Sequence, residues 1–307
     1  MAGTNELRHR IAAVEQTMKI TGAMEMVSSN RMRRVMAHIE YNKKYYSYIR
    51  QAMHNILESA KEADDVSMHP YLTVRENPRR TVVVISGDKG LCGSYNSLVL
   101  RLAEEVLREV PDSSLITVGN VAEDYFRRLG RTPDITMLGI VQDPTMKSAR
   151  RVTHDLMQLY ENNLTDEIVI VHTAFYGATK GRPVQLRLLP IRLEDYDEES
   201  ELGDSRYYEP GGVSEMEYLP DRKSVFDRLV PQFLIGLVFG VMVQAYAGEH
   251  YARMNAMHAS TDNAGDMLKG LQLQYNLARQ SAITNEIAEI TGAAEILQSK
   301  SRPMNIP

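Results

Sequence analysis

The sequence predicts an α/β fold joined to a coiled coil: long N- and C-terminal helices packed antiparallel as a rod, around a middle domain of alternating strands and helices. Three observations carry this expectation. From Ile11 through Val14, Met18, Thr21, Glu25, Ser28, Met32, Val35 and Ile39, and on to Ile56, mostly apolar residues, with a few small or polar ones, recur at alternating steps of three and four. That spacing is a coiled-coil seam. The same alternation runs from Met257 through Thr261, Ala264, Leu268, Leu271, Tyr275, Ala278 and Ala282, then slips by one residue to Ile283, Ile287, Ile290, Ala294 and Leu297. Between the two seams, strand and helix signals alternate instead.

The elements follow in order. Residues 1–60 form the first helix, and the two chain ends are expected to pair with each other. At about 1.5 Å per residue the first helix reaches roughly 80 Å, and one running from near Ser224 to Gln298 roughly 110 Å. Neither length fits inside an ordinary domain, so the chain is built to span distance or transmit force. The middle domain covers residues 75–193. Its strands are expected at 81–86, 115–118, 135–140, 167–175 and 184–193, with helices at 97–110, 122–129 and 145–160. Alternation of this kind argues for a mainly parallel, Rossmann-like sheet, with the last strand hairpin-paired across 177–183. Residues 194–220 are an acidic loop or linker, 221–300 the C-terminal helix and 301–307 a tail.

Composition narrows the class. The formal net charge of −5 hides eleven acidic residues and one basic residue between Glu194 and Asp221. The first sixty residues carry nine Lys/Arg against five Asp/Glu, a solvated helix face or a surface for an acidic partner. Nucleic acid fits poorly, because no binding module with interleaved aromatic residues is present. The single cysteine, Cys92, excludes an internal disulfide, and the eight histidines form no metal-ligand pattern. No apolar signal core or Arg-rich transit segment follows Met1. The twenty uncharged residues 229–248 are long enough to cross a bilayer, but Pro231, Gln232 and Gln244 favour a helix buried within the protein, kinked at Pro231.

The glycine-rich turn Ser86-Gly87-Asp88-Lys89-Gly90-Leu91-Cys92-Gly93-Ser94 lies between a strand and a helix, where phosphate loops occur. It is neither GxxxxGK[ST] nor GxGxxG, so it reads as a tight structural turn. A nucleotide-binding α/β protein with a coiled-coil scaffold is the alternative it leaves open. No paired carboxylates, nucleophile elbow or metal set completes a catalytic constellation.

Four runs together resemble the gamma subunit of F-type ATP synthases: Lys19-Ile20-Thr21-Gly22-Ala23-Met24-Glu25-Met26-Val27, the turn Gly87 to Asn96, Ala259-Ser260-Thr261-Asp262-Asn263-Ala264-Gly265, and Tyr275 to Glu286. The resemblance covers essentially the whole chain in the right order. It implies a non-catalytic rotor shaft, its terminal helices coiled inside a hexamer of alpha and beta subunits, with an α/β foot near the membrane c-ring. It implies contact with beta subunits through Met24, Arg253, Arg279, Gln280, Thr284 and Glu286, and contact with the ring and the epsilon subunit through Tyr207, Tyr208 and Glu209. It also implies no cofactor on this chain, Mg-ATP or Mg-ADP on partner subunits, proton translocation through the assembly, and a peripheral place on the cytoplasmic face of a bacterial membrane. Gly22 stands where many family members have Lys, and the 210–224 connection is longer than the family's pattern.

Overall fold

The computed structural model describes residues 3–61, 69–76, 78–175, 181–192, 195 and 218–300. The elements are α1 (Thr4–Lys61), β1 (Arg80–Ile85), α2 (Tyr95–Glu109), β2 (Ser114–Val118), α3 (Asn120–Arg128), β3 (Ile135–Met137), α4 (Met146–Glu161), β4 (Glu167–Ala174), β5 (Arg182–Leu189) and α5 (Arg222–Lys300). Each expected helix and strand is present among the described residues, while most of the expected 194–220 linker and the whole 301–307 tail lie outside them. Strand β3 is shorter than expected because Gly139 turns the chain at φ +71°. Strand β5 ends at Leu189 because the next residue is Pro190, which has no N–H for the ladder. Two compact units result: Met1–Glu25 with Met257–Pro307, and Met26–Ala256, so each long helix contributes to both.

The larger unit is built on a five-stranded sheet of order β3-β2-β1-β4-β5, parallel except for β5, which runs antiparallel to β4. Side chains alternate across each strand, so one sheet supports two cores. Val82, Val84, Leu115, Val169 and Val171 meet Val99, Ala103 and Leu107 of α2 and Phe126 of α3. Val83, Ile85, Ile116, Ile168 and Ile170 lie in the opposite core with Val152 and Leu156 of α4, Ile39, Tyr46 and Met53 of α1, and Phe226, Phe233 and Val241 of α5. Strand β4 is buried at all eight positions, as a parallel strand covered on both faces must be.

That second core explains the uncharged stretch of α5. By length and composition the helix would cross a membrane, yet 78% of its most apolar window is buried inside the protein. Every residue from Phe233 to Ala245 is buried. Gly236 lets α1 come close: a Cβ there would lie 3.2 Å from the Tyr45 ring, and Asn42 donates to the Gly236 carbonyl at 3.2 Å. Pro231, expected to kink the helix, sits inside an unbroken α5 between the fully buried Val230 and Phe233.

In the smaller unit the start of α1 pairs antiparallel with α5. Arg8 donates to the Tyr275 hydroxyl at 3.0 Å, the Thr21 and Thr261 hydroxyls share a bond of 2.7 Å, and His258 contacts Glu25 at 3.1 Å. Rising numbers on α1 therefore meet falling numbers on α5. The seam positions from Ile11 to Thr21, and from Met257 to Ala278, are buried or half-buried. Beyond Ala278 the expected pairing fails, and Ile283, Ile287 and Ile290 are 44%, 59% and 64% exposed. The register gives the reason: it brings Thr4, where α1 begins, opposite residue 279, so the remaining α5 turns have no α1 residues to pair with.

Candidate functional site

Two surfaces gather the residues singled out in the sequence. The first is the last part of α5. With 100° of rotation per residue, Ile283, Ile287 and Ile290 fall on one stripe of the helix. Arg279 and Glu286 flank that stripe on one side, and Gln280 and Thr284 on the other. All seven are exposed. The Thr284 hydroxyl donates to the Gln280 carbonyl at 2.9 Å, and among the described residues no ion pair engages Arg279 or Glu286. An apolar stripe between two polar edges is the build of a helix face that seats in a partner. Met24 is half-buried on α1. Tyr207, Tyr208 and Glu209 lie outside the described residues.

The second is the turn between β1 and α2. Several of its polar groups are bonded internally. The Gly87 N–H donates to Asn96 Oδ1 at 2.9 Å, Asp88 Oδ1 accepts from the Asn120 N–H at 2.9 Å, and Ser86 Oγ accepts from the Ala122 N–H at 2.9 Å. Asn96 Nδ2 also donates to Cys92 Sγ at 3.2 Å. A loop that cradles phosphate keeps its amides free, and here the Gly87 amide is already bonded to Asn96. Backbone conformation fixes the rest, with Leu91 and Gly93 at φ +62° and +57°.

Arg253, which the resemblance places at a beta subunit, belongs to this second group. It is 7% exposed, and its guanidinium donates to Glu249 Oε1 at 2.6 Å and to the Gly90 and Lys89 carbonyls at 3.2 and 3.4 Å. Glu249 in turn packs on Gly87, where an added Cβ would lie 3.0 Å from its carboxyl carbon. The pair therefore ties α5 to the turn. Burial pushes the Glu249 carboxyl up, opposed by Arg253. Burial, then the positive Arg253 and Arg31, bring His250 down to about 4, and burial raises the Cys92 thiol. Sequence reasoning missed Glu249. The available signal was its four-residue spacing from Arg253 on a helix.

The whole chain has known relatives. The family model described as ATP synthase matches residues 3–297. The ATP synthase gamma chain of Heliobacterium modesticaldum is 33% identical over 297 residues, covering 97% of this chain and 100% of the relative. The gamma chain of Glaesserella parasuis is 36% identical over 305 residues, covering 96% and 100%. The chain belongs to the ATP synthase gamma family. Among solved structures, a chain of the Euglena gracilis mitochondrial ATP synthase matches with a TM-score of 0.65 at 17% identity, covering 99% of this chain and 98% of that one. At that identity the match speaks for the fold. As a gamma chain, this protein is the non-catalytic central-stalk subunit of a rotary ATP synthase, and catalysis lies on the beta subunits.

Proposed function

We propose that this gamma chain bears torque through the exposed end of α5, which seats in a sleeve of alpha and beta subunits while the 26–256 unit engages a membrane c-ring and an epsilon subunit at the cytoplasmic face of the membrane. The observation that carries this reading is the isoleucine stripe beyond Ala278, left without an α1 partner and edged by Arg279, Gln280, Thr284 and Glu286. The two kinds of residue do different work. Apolar contact is non-directional, so the stripe can stay seated while the shaft turns. The polar edges bond only at some rotor angles, and that difference between angles is what can bias a beta subunit between open and closed states.

Nucleotide, with its magnesium, is then held by the partner subunits and not by this chain. The turn at 87–94 serves structure, since the Gly87 amide is bonded to Asn96 and the Asp88 carboxylate to the Asn120 amide. The test is Arg279→Ala with Gln280→Ala in the purified assembly. Alanine is the better helix former, so the helicity of the chain should stay near wild type. Assembly turnover should fall several-fold. Normal assembly with wild-type rates of ATP hydrolysis and synthesis would return these residues to a solvated helix face.

A further inference from the structure

We propose that Glu25 of α1 with His258 and Asp262 of α5 forms a proton-operated clamp, which holds the two helices of the shaft together while the His258 ring is charged and loosens them when it is neutral. His258 Nδ1 lies 3.1 Å from Glu25 Oε1 across the helix pair, and its Nε2 lies 3.5 Å from Asp262 Oδ2, one turn on along α5. A neutral imidazole carries one N–H, so it can donate to one of these carboxylates and must turn a lone pair toward the other. Imidazolium carries two and serves both. Deprotonation therefore turns one attractive contact into a repulsive one and leaves two carboxylates around the ring with no cation between them.

The charge pattern isolates this trio. Between Lys19 and Arg31 of α1, Glu25 is the one charged residue, and between Arg253 and Asp266 of α5 the titratable residues are His258 and Asp262 alone. Among the described residues no Lys or Arg pairs with Glu25 or Asp262. These are the charged groups that face His258 from the two helices packed here, and a proton on its ring cancels one of their two negative charges. The ring is 62% exposed, so protons reach it directly from solvent.

The surrounding seam is one that polar contacts can govern. From Thr21 to Ser28 the α1 seam positions are Thr21, Glu25 and Ser28, with no apolar side chain among them. One turn from Glu25 the helices are bridged by the 2.7 Å bond between the Thr21 and Thr261 hydroxyls. Where apolar locking is this thin, hydrogen bonds and ion pairs decide how firmly the helices hold. Histidine is the side chain whose charge ordinarily changes between about pH 5 and 8. The contact is present while the ring is charged and is lost as pH rises through its titration, so the shaft tightens here on acidification and loosens on alkalinisation.

The test is amide hydrogen exchange of the full chain, read by mass spectrometry on peptides covering residues 18–28, with each variant compared to wild type at the same pH. His258 is exposed, so its variants should keep wild-type helicity. Exchange in wild type should be about threefold slower than in His258→Gln near pH 6 and equal to it near pH 8. His258→Lys, charged at both values, should stay protected at both. Glu25→Gln with Asp262→Asn should abolish the pH dependence with the histidine still in place. Salt at about 1 M, where the screening length is about 3 Å, should erase the difference seen near pH 6. Equal exchange of wild type and His258→Gln near pH 6 would overturn the proposal. So would a difference as large near pH 8, or a pH dependence that survives loss of both carboxylates.

Discussion

Replacing Arg253 with alanine should loosen the turn between β1 and α2 in a pH-dependent way. The Arg253 and Glu249 side chains are 9% and 11% exposed, so the substitution strands a buried carboxylate. Breaking one side of a buried ion pair costs about 3–5 kcal/mol. The sign of the pH dependence follows from Glu249, whose folded pKa is already raised above the unfolded value by burial. Such a group favours the native state most below its unfolded pKa, and that contribution is lost as pH rises through the folded pKa. Removing Arg253 takes away what held the folded value down, so the loss deepens on the alkaline side. The deficit in Arg253→Ala should thus be largest near neutrality and above, and should shrink as pH falls toward the ordinary carboxylate range.

Urea denaturation of the full chain at pH 8 and pH 5 reads the global deficit. Alkylation of Cys92, which is 2% exposed and bonded to Asn96 in the same turn, reads the local one. A deficit of about 3 kcal/mol corresponds to a rise on the order of a hundredfold in alkylation governed by local opening. Adding Glu249→Gln should recover part of the loss at pH 8, because the stranded charge is gone. A deficit below about 1 kcal/mol at both pH values, with Cys92 no more reactive, would refute the pair as the tie between α5 and the turn.

Two glycines should respond in opposite directions. Gly22→Ala lies in a helix with nothing within 4 Å of the new Cβ and should stabilise the chain by about 1 kcal/mol, read from the denaturation midpoint. Gly119→Ala places a Cβ 2.5 Å from the Ser86 carbonyl oxygen at φ +102° and should destabilise by about 2–4 kcal/mol. His172, fully enclosed in β4, is lowered to about 4 by burial despite its bond to Gln244, so the unfolded chain takes up its proton first on acidification. Stability should fall as pH drops from about 6.5 toward 4, by up to about 3 kcal/mol from this residue, and His172→Asn should flatten that slope. With Cys92 the single cysteine and its thiol raised by burial, ATPase activity of the assembly should be insensitive to dithiol reductants; activation that persists in Cys92→Ser would place any redox switch in another subunit.

Much of the fold could be read from periodicity alone. The three-four alternation marked both long helices, and the β-branched runs at 81–86 and 167–175 marked the two central strands, because burial on a helix or sheet face is a local pattern of residue types. The tip residues Arg279, Gln280, Thr284 and Glu286 were singled out by the resemblance to the gamma family, and the helix angle between positions sets which edge of the isoleucine stripe each occupies. What the pattern could not supply was register and partnership. The seam from Ala282 onward has the same spacing as the paired part, and only the pairing of Arg8 with Tyr275 shows that α1 runs out before reaching it. Arg253 was singled out only through the resemblance, and nothing local in the sequence shows that folding brings Lys89 and Gly90, more than 160 positions away, to its guanidinium. The same holds for the uncharged 229–248 stretch, which satisfies the composition of a membrane span and becomes a core helix only because the sheet, α4 and α1 cover it. Local sequence sets which face of an element is apolar, and tertiary structure alone decides what that face is buried against.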